Sequence, residues 1–218
     1  GYNRMPMTWD NIISADSMAV PWSKVMKSGR PFCPDKNDIF KAFSYCSPDN
    51  CRVVFLGQDP YPQKGVATGI LFANKSETLP EQLSPSLKVI KNSLFEDLHI
   101  SEKDSNFDPS LISWAEQGIL MINSALTVEM NKIGSHVMIW RPFISKLLRN
   151  LSLYNPDIIF VLFGSQASTF RPYINKESTV LEIPHPAYSA RTGEKFPLIF
   201  NAINEILAKK GKKKIRWI

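Results

Sequence analysis

The chain has 218 residues, 44% of them hydrophobic and 21% charged, which is the balance of a globular protein long enough for one domain with a full core. No run approaches the ~20 apolar residues of a membrane span, and Gly1 to Pro6 carry no apolar signal-peptide core. Of 26 basic residues, six lie in the acid-free tail Leu207 to Ile218 (Lys209, Lys210, Lys212, Lys213, Lys214 and Arg216), leaving 20 basic against 20 acidic residues elsewhere, so the net charge of +6 marks a basic tail rather than a basic protein.

In chain order, an irregular start leads to a helix, with Asp16-Ser17 as cap and Pro21 in its first turn before Trp22 to Met26. Gly1 in first position points to a processed or truncated chain. Ile39, Phe40, Ala42 and Phe43 recur at helical spacing and predict a short amphipathic helix over 36–45. Val53-Val54-Phe55-Leu56 reads as a buried strand, and Gly57-Gln58-Asp59-Pro60-Tyr61-Pro62 follows as a proline-stiffened loop. Ile70 to Ala73 is a short apolar return to the core. Leu87, Ile90, Leu94 and Phe95 form a helical stripe, and a further helix bears Leu111 to Ala115 and ends at Gly118.

Ile119 to Asn123 is a second buried strand. Ile139 to Leu153 is an amphipathic helix. Ile158 to Phe163 is a third strand, followed by a two-turn helix at 165–174. Thr179 to Ile183 is a fourth strand, ending at Pro184-His185-Pro186, and a last helix spans roughly 196–209. Strands alternating with helices predict an α/β fold, a three-layer α/β/α sandwich with a central, mainly parallel four-stranded sheet in a single domain over 1–218.

Three strands end in a candidate group: Asp59, Asn123 and His185. In a parallel sheet these ends share one edge, where ligands bind in open α/β folds. Each has an ordinary reading: a turn cap, an Asx turn, a satisfied buried ring. Their convergence, with the aromatics Tyr61 and Phe72 nearby, favours a site. Other chemistries lack their marks. There is no phosphate-binding glycine motif, no G-x-S-x-G elbow and no Cys/His cluster with metal-ligand spacing. Cys33, Cys46 and Cys51 contain no C-x-x-C pair and fit a reducing interior.

From about Pro34 to Trp217 the sequence resembles the main family of uracil-DNA glycosylases. The resemblance rests on Gly57-Gln58-Asp59-Pro60-Tyr61, Gly69-Ile70-Leu71-Phe72 and Ser84-Pro85-Ser86-Leu87. It continues through Trp114 to Asn123, Ala125 to Val128, Ser135-His136, Phe163-Gly164-Ser165, His185-Pro186 and Gly211-Lys212-Lys213. It implies an enzyme that flips uracil out of DNA and hydrolyses its N-glycosidic bond. It implies that Asp59 positions the attacking water and that His185, neutral, donates to the leaving O2. Phe72 would stack on the base, Asn123 read its edge, Tyr61 exclude a thymine methyl, and backbone N–H groups near Gln58 and Asp59 bind the O2 side. Ser86, Ser165 and Ser189 become candidates to grip phosphates.

The resemblance implies no metal and no cofactor. Its implied partners are uracil-containing DNA, single- or double-stranded, and a protein inhibitor of the uracil-mimic type. It implies a monomer with no membrane, in the cytoplasm, or the nucleus for a eukaryotic or viral source. The sequence departs from the family at two places. Pro62 stands where the family usually has His, which would loosen a water or phosphate contact. His185-Pro186-Ala187-Tyr188-Ser189-Ala190 is one residue shorter than the usual loop, with Ala187 for a serine and Tyr188 or Arg191 for the intercalating leucine. These departures keep open a second reading, a DNA-binding or replication-associated module with weak or vestigial catalysis.

Overall fold

The computed structural model describes residues 6–104 and 106–218. The reading of Gly1 to Met5 lies outside the described residues. Its strands are β1 (Phe32–Cys33), β2 (Val53–Gly57), β3 (Ile119–Asn123), β4 (Val128–Glu129), β5 (Ile159–Phe163) and β6 (Val180–Ile183). Its α-helices are α1 (Trp9–Ile12), α2 (Ala15–Lys27), α3 (Pro85–Leu98), α4 (Ile112–Glu116), α5 (Val137–Tyr154), α6 (Ser165–Ser168), α7 (Pro186–Thr192) and α8 (Phe200–Lys209).

Four strands form a parallel sheet in the order β3-β2-β5-β6. Side chains alternate across it. Val53, Phe55, Ile119, Met121, Ile159, Val161 and Phe163 face a layer made by α3, α4, α8 and the chain end. Val54, Leu56, Leu120, Ile122, Phe160 and Leu162 face α1, α2, α5 and α6. Both faces of β2, β3 and β5 are covered, which is why these three strands are unbroken apolar runs, while β6 at the sheet edge carries the exposed Glu182. Burying each such side chain is worth roughly 1.5–3 kcal/mol. The expected three-layer sandwich is therefore present.

The register sets the functional edge. Gly57 pairs with Asn123, and Phe163 pairs with Ile183, so the segments starting at Gln58, Asn123, Gly164 and Pro184 leave the sheet side by side. The N–H groups of Ser124 and Ala125 donate to the carbonyls of Gly57 and Gln58 and carry that pairing past the strand ends.

Several local expectations are corrected. Helix α2 begins at Ala15 under a Ser14 cap, so Pro21 lies inside it. Packing of Met18 and Trp22 against the α5 layer overrides the proline. The predicted helix over 36–45 is two 3-10 turns, Lys36–Asp38 and Lys41–Ser44. Ile39 and Ala42 are still buried, so the stripe was real and the helix type was not. The helix expected over 165–174 stops at Ser168, because Pro172 has no N–H to offer and its ring crowds the Ser168 carbonyl; a 3-10 turn, Arg171–Tyr173, follows.

The last helix starts at Phe200 rather than 196. Its first N–H groups, on Phe200 and Asn201, donate to Asp97 Oδ2 at 2.9 and 3.1 Å, so the cap comes from α3. Residues 186–190, read as a loop, form most of α7, and β1 and β4, an antiparallel pair, were not foreseen.

The basic tail is no loose end. Ile215 and Trp217 are buried, and Trp217 packs edge-on against Trp114 and Phe200 with ring centroids 5.1 and 4.9 Å away. Ile215 exchanges two hydrogen bonds with the Asn204 side chain, and Arg216 N–H donates to Gln117 Oε1. Arg52 donates to the Lys213 and Lys214 carbonyls. Arg52 and Gln117 precede β2 and β3, so the tail is strapped to the edge of the sheet opposite the functional one.

Candidate active site

A cleft of about 940 Å³ opens at the carboxyl ends of the strands. Gln58, Asp59, Tyr61, Pro62, Phe72, Ser86, Asn123, Ser165, His185, Tyr188 and Arg191 all line it. Ser189 does not: it is buried on the inward side of α7, away from the wall formed by Ala187, Tyr188, Ala190 and Arg191. One helical turn decides this. Residues 187, 188, 190 and 191 share a face, and 189 points the other way.

Asp59 is held at one oxygen. Gly134 N–H donates to Oδ2 at 2.9 Å, while Oδ1 is buried with no partner. Burial pushes the Asp59 carboxyl up to about 6, against the lowering effect of the Gly134 bond. The group is ionised at neutral pH and presents a free acceptor to the cleft. Gly134 lies in the loop between β4 and α5. A backbone donor leaves no side-chain signature, so nothing in the sequence could have assigned it this task.

His185 is fixed by α7. Its Nδ1 accepts from Ala187 N–H at 3.0 Å, so in the neutral ring the proton sits on Nε2. Burial, aided by the Arg191 charge, lowers its pKa to about 4. The imidazole is thus a neutral donor above that pH. The bond comes from the backbone of residue 187, so alanine in place of serine leaves it intact.

Asn123 ends β3 beside Gly57. A Cβ on Gly57 would come within 2.4 Å of Leu71 Cδ1 and 3.0 Å of Asn123 Oδ1, so the bare glycine lets Leu71 and the Asn123 amide pack against it. Asn123 Oδ1 is buried without a partner. A buried orphan acceptor on a cleft wall is costly unless a ligand N–H completes it.

Phe72 adopts φ +66°, a left-handed conformation that a bulky side chain rarely takes. The Tyr61 hydroxyl donates to its carbonyl at 2.7 Å and pins it there. The ring meets Phe163 and His185 edge-on, with centroids 5.0 and 5.6 Å away. Pro62 also has a structural task, as its carbonyl accepts from Asn131 N–H at 3.0 Å and ties the motif to the loop that carries Gly134.

His136 is not part of this set. It is buried, with Nδ1 2.8 Å from Thr127 Oγ1, which also accepts from Trp140 Nε1. Among the described residues, no group of three or more His, Cys, Asp or Glu side chains is placed to hold a metal ion.

The Phe72 ring, the orphan Asn123 acceptor, the Asp59 carboxyl and the His185 imidazole thus line one cleft at the strand ends. In comparison with known proteins, the Uracil DNA glycosylase superfamily model matches residues 43–208. A Campylobacter jejuni uracil-DNA glycosylase (strain 81-176) is 37% identical over 84% of this chain and 78% of its own. One from Buchnera aphidicola (strain Tuc7) is 34% identical over 98% of this chain and 99% of its own. The crystal structure of mimivirus uracil-DNA glycosylase superposes with a TM-score of 0.77 at 24% identity, covering 99% of this chain and 95% of that one. The chain belongs to the uracil DNA glycosylase superfamily.

Proposed function

We infer that the protein is a monofunctional uracil-DNA glycosylase that flips uracil from DNA into the cleft, cleaves its N-glycosidic bond with water and leaves an abasic site. The observation that carries this reading is the pair of orphan acceptors, Asp59 Oδ1 and Asn123 Oδ1, on one cleft wall. Asn123 Oδ1 suits the N3–H of uracil, and its Nδ2 suits O4. Cytosine has no N3–H and would leave the acceptor unpaired. Phe72 stacks on the ring. Tyr61, whose hydroxyl is tied to Phe72, stands where the methyl of thymine would press.

As the bond to the sugar breaks, negative charge grows on uracil O2 and positive charge on the sugar. His185 Nε2–H donates to the developing oxyanion; such a donor is typically worth about 3–4 kcal/mol. The Asp59 carboxylate offsets the sugar cation, and its free Oδ1 accepts a hydrogen from the attacking water. The backbone near Gln58 assists at O2. Ser86 and Ser165, which line the cleft, are the candidates to grip phosphates that this reading favours over Ser189, which does not line it. Tyr188, half exposed on α7, is the better candidate to fill the gap left by the flipped base, and Arg191 lies beside His185.

The chain acts as one domain, and the three free cysteines fit a reducing compartment, the cytoplasm or a nucleus. Among the described residues, no helix is long and apolar enough to cross a membrane. A Y-to-L variant of the mimivirus enzyme is known in complex with UGI, and an inhibitor of that kind would find the same cleft here.

Release of free uracil from a uracil-containing oligonucleotide in EDTA tests the reading. Release that is abolished in Asp59→Asn/His185→Ala supports it. Binding of DNA without release, unchanged in that double variant, would favour the binding-module alternative and overturn it.

A further inference from the structure

A second groove, of about 380 Å³, runs along α5 outside the cleft. Arg141, Ser145, Lys146 and Arg149 line it, at positions i, i+4, i+5 and i+8 of one helix, with Tyr173 opposite. That spacing puts Arg141, Ser145 and Arg149 on one face, with Lys146 on its flank. Arg141 and Arg149 lie about 12 Å apart along the axis at the usual helical rise.

The cations are held in place without being neutralised. The Arg141 guanidinium sits 4.3 Å from the Phe170 ring centroid and donates to Thr169 Oγ1 and to the Thr169 carbonyl. Arg149 lies 5.4 Å from the Tyr173 centroid. Stacking on a ring and bonding to neutral oxygens fix a guanidinium without neutralising its charge. Among the described residues none of Arg141, Lys146 and Arg149 forms an ion pair; the nearby acid Glu182 is taken by Arg171 at 2.9 Å. Ser145 is 9% exposed, and its Oγ has no partner. Three unpaired cations and an unsatisfied hydroxyl along one groove are a lining for an extended polyanion.

We propose that this groove is an auxiliary nucleic-acid site that binds the phosphodiester backbone of the strand beyond the flipped nucleotide. The inference rests on DNA being the substrate of the cleft. Position supports it: α5 begins three residues after Gly134, the residue that holds Asp59, so the helix that carries the groove starts beside the cleft. A 12 Å row of cations matches two to three phosphates of a single strand. The groove adds affinity and footprint on long substrates and takes no part in bond cleavage.

The test uses the full chain and single-stranded uracil oligonucleotides of ~5 and ~20 nucleotides. Binding is read by fluorescence anisotropy with the catalytic carboxylate silenced (Asp59→Asn), with and without K146E/R149E. Uracil release is read in K146E/R149E alone. Lys146 and Arg149 are exposed, and thermal melting checks that the reversal leaves the fold intact. The expected result is roughly tenfold weaker binding of the long oligonucleotide, with a salt slope smaller by about 1.4, since each single-strand phosphate contact contributes about 0.7. Affinity for the short oligonucleotide and its rate of uracil release stay unchanged. An unchanged affinity and slope on the long substrate would overturn the proposal, as would an equal loss on both lengths. Absence of uracil release from either substrate in the otherwise wild-type chain would instead refute the glycosylase reading, and the length-dependent binding would still be read separately.

Discussion

Replacing Asp59 by Asn should stabilise the fold while disabling the site. The Asp59 carboxyl is pushed from the ordinary carboxylate range up to about 6 by burial, so the folded state resists its ionisation. A raised pKa leaves stability whole below the unfolded value, near 4, and removes it as pH rises through about 6. The shift corresponds to an upper limit near 3 kcal/mol at one pKa unit per 1.36 kcal/mol. The group is partly open to the cleft, and solvent screening reduces this to about 2 kcal/mol.

Asn keeps an acceptor for the Gly134 N–H, so the substitution removes the charge and little else. For a chain of this size the gain is a rise in Tm of roughly 4–8 °C at pH 8. At pH 4.5 the wild-type carboxyl is already neutral in the folded state, and the gain should shrink to about a third. Thermal melts of both proteins at the two pH values measure this. The same variant should lose roughly 10²–10⁴ in single-turnover rate, and the wild-type rate should fall as pH drops below about 6. A destabilised Asp59→Asn, or a gain that does not depend on pH, would refute the assignment of Asp59 as a desolvated anion.

His185→Ala should lower single-turnover kcat by about 10²–10³, the cost of one oxyanion donor; because the ring is neutral down to about pH 4, the ratio to wild type should stay constant from pH 8 to pH 5, and a ratio that collapses in that range would contradict it. Tyr61→Ala should release thymine from T-containing DNA at a measurable rate, and no thymine release would mean that Tyr61 is not the gate. Trp217→Ala should cost about 3–5 kcal/mol in urea unfolding, with uracil release per folded molecule unchanged in the cold, since the strap lies at the far edge of the sheet; an unchanged midpoint would contradict the packing described.

The sheet was legible because strands buried on both faces must be unbroken apolar runs, and Val53–Leu56, Ile119–Ile122 and Ile159–Phe163 are such runs. Asp59 and Asn123 were legible for a related reason, as polar residues just past two of those runs, and His185 as a polar residue just past the fourth strand of the same parallel sheet. Helix ends were read less well. The cap of α8 comes from Asp97, about a hundred residues earlier in the chain, and α2 keeps Pro21 inside because its packing outweighs the lost bond. The Gly134 and Ala187 amides, which hold Asp59 and fix the tautomer of His185, could not be seen, since every residue but proline offers the same N–H. The composition of the tail showed its exposed lysines but not its anchor, since the two alternating apolar residues Ile215 and Trp217 that bury it are too few to register as a pattern.

The most direct test of the central claim, that this cleft reads uracil through Asn123, is product analysis on DNA carrying a single uracil or a single unpaired cytosine. The wild-type protein should release uracil and no cytosine. Asn123→Asp, whose protonated carboxyl can donate to cytosine N3, should release both. Failure of the wild type to release uracil, or an Asn123→Asp variant with unaltered base choice, would contradict the account.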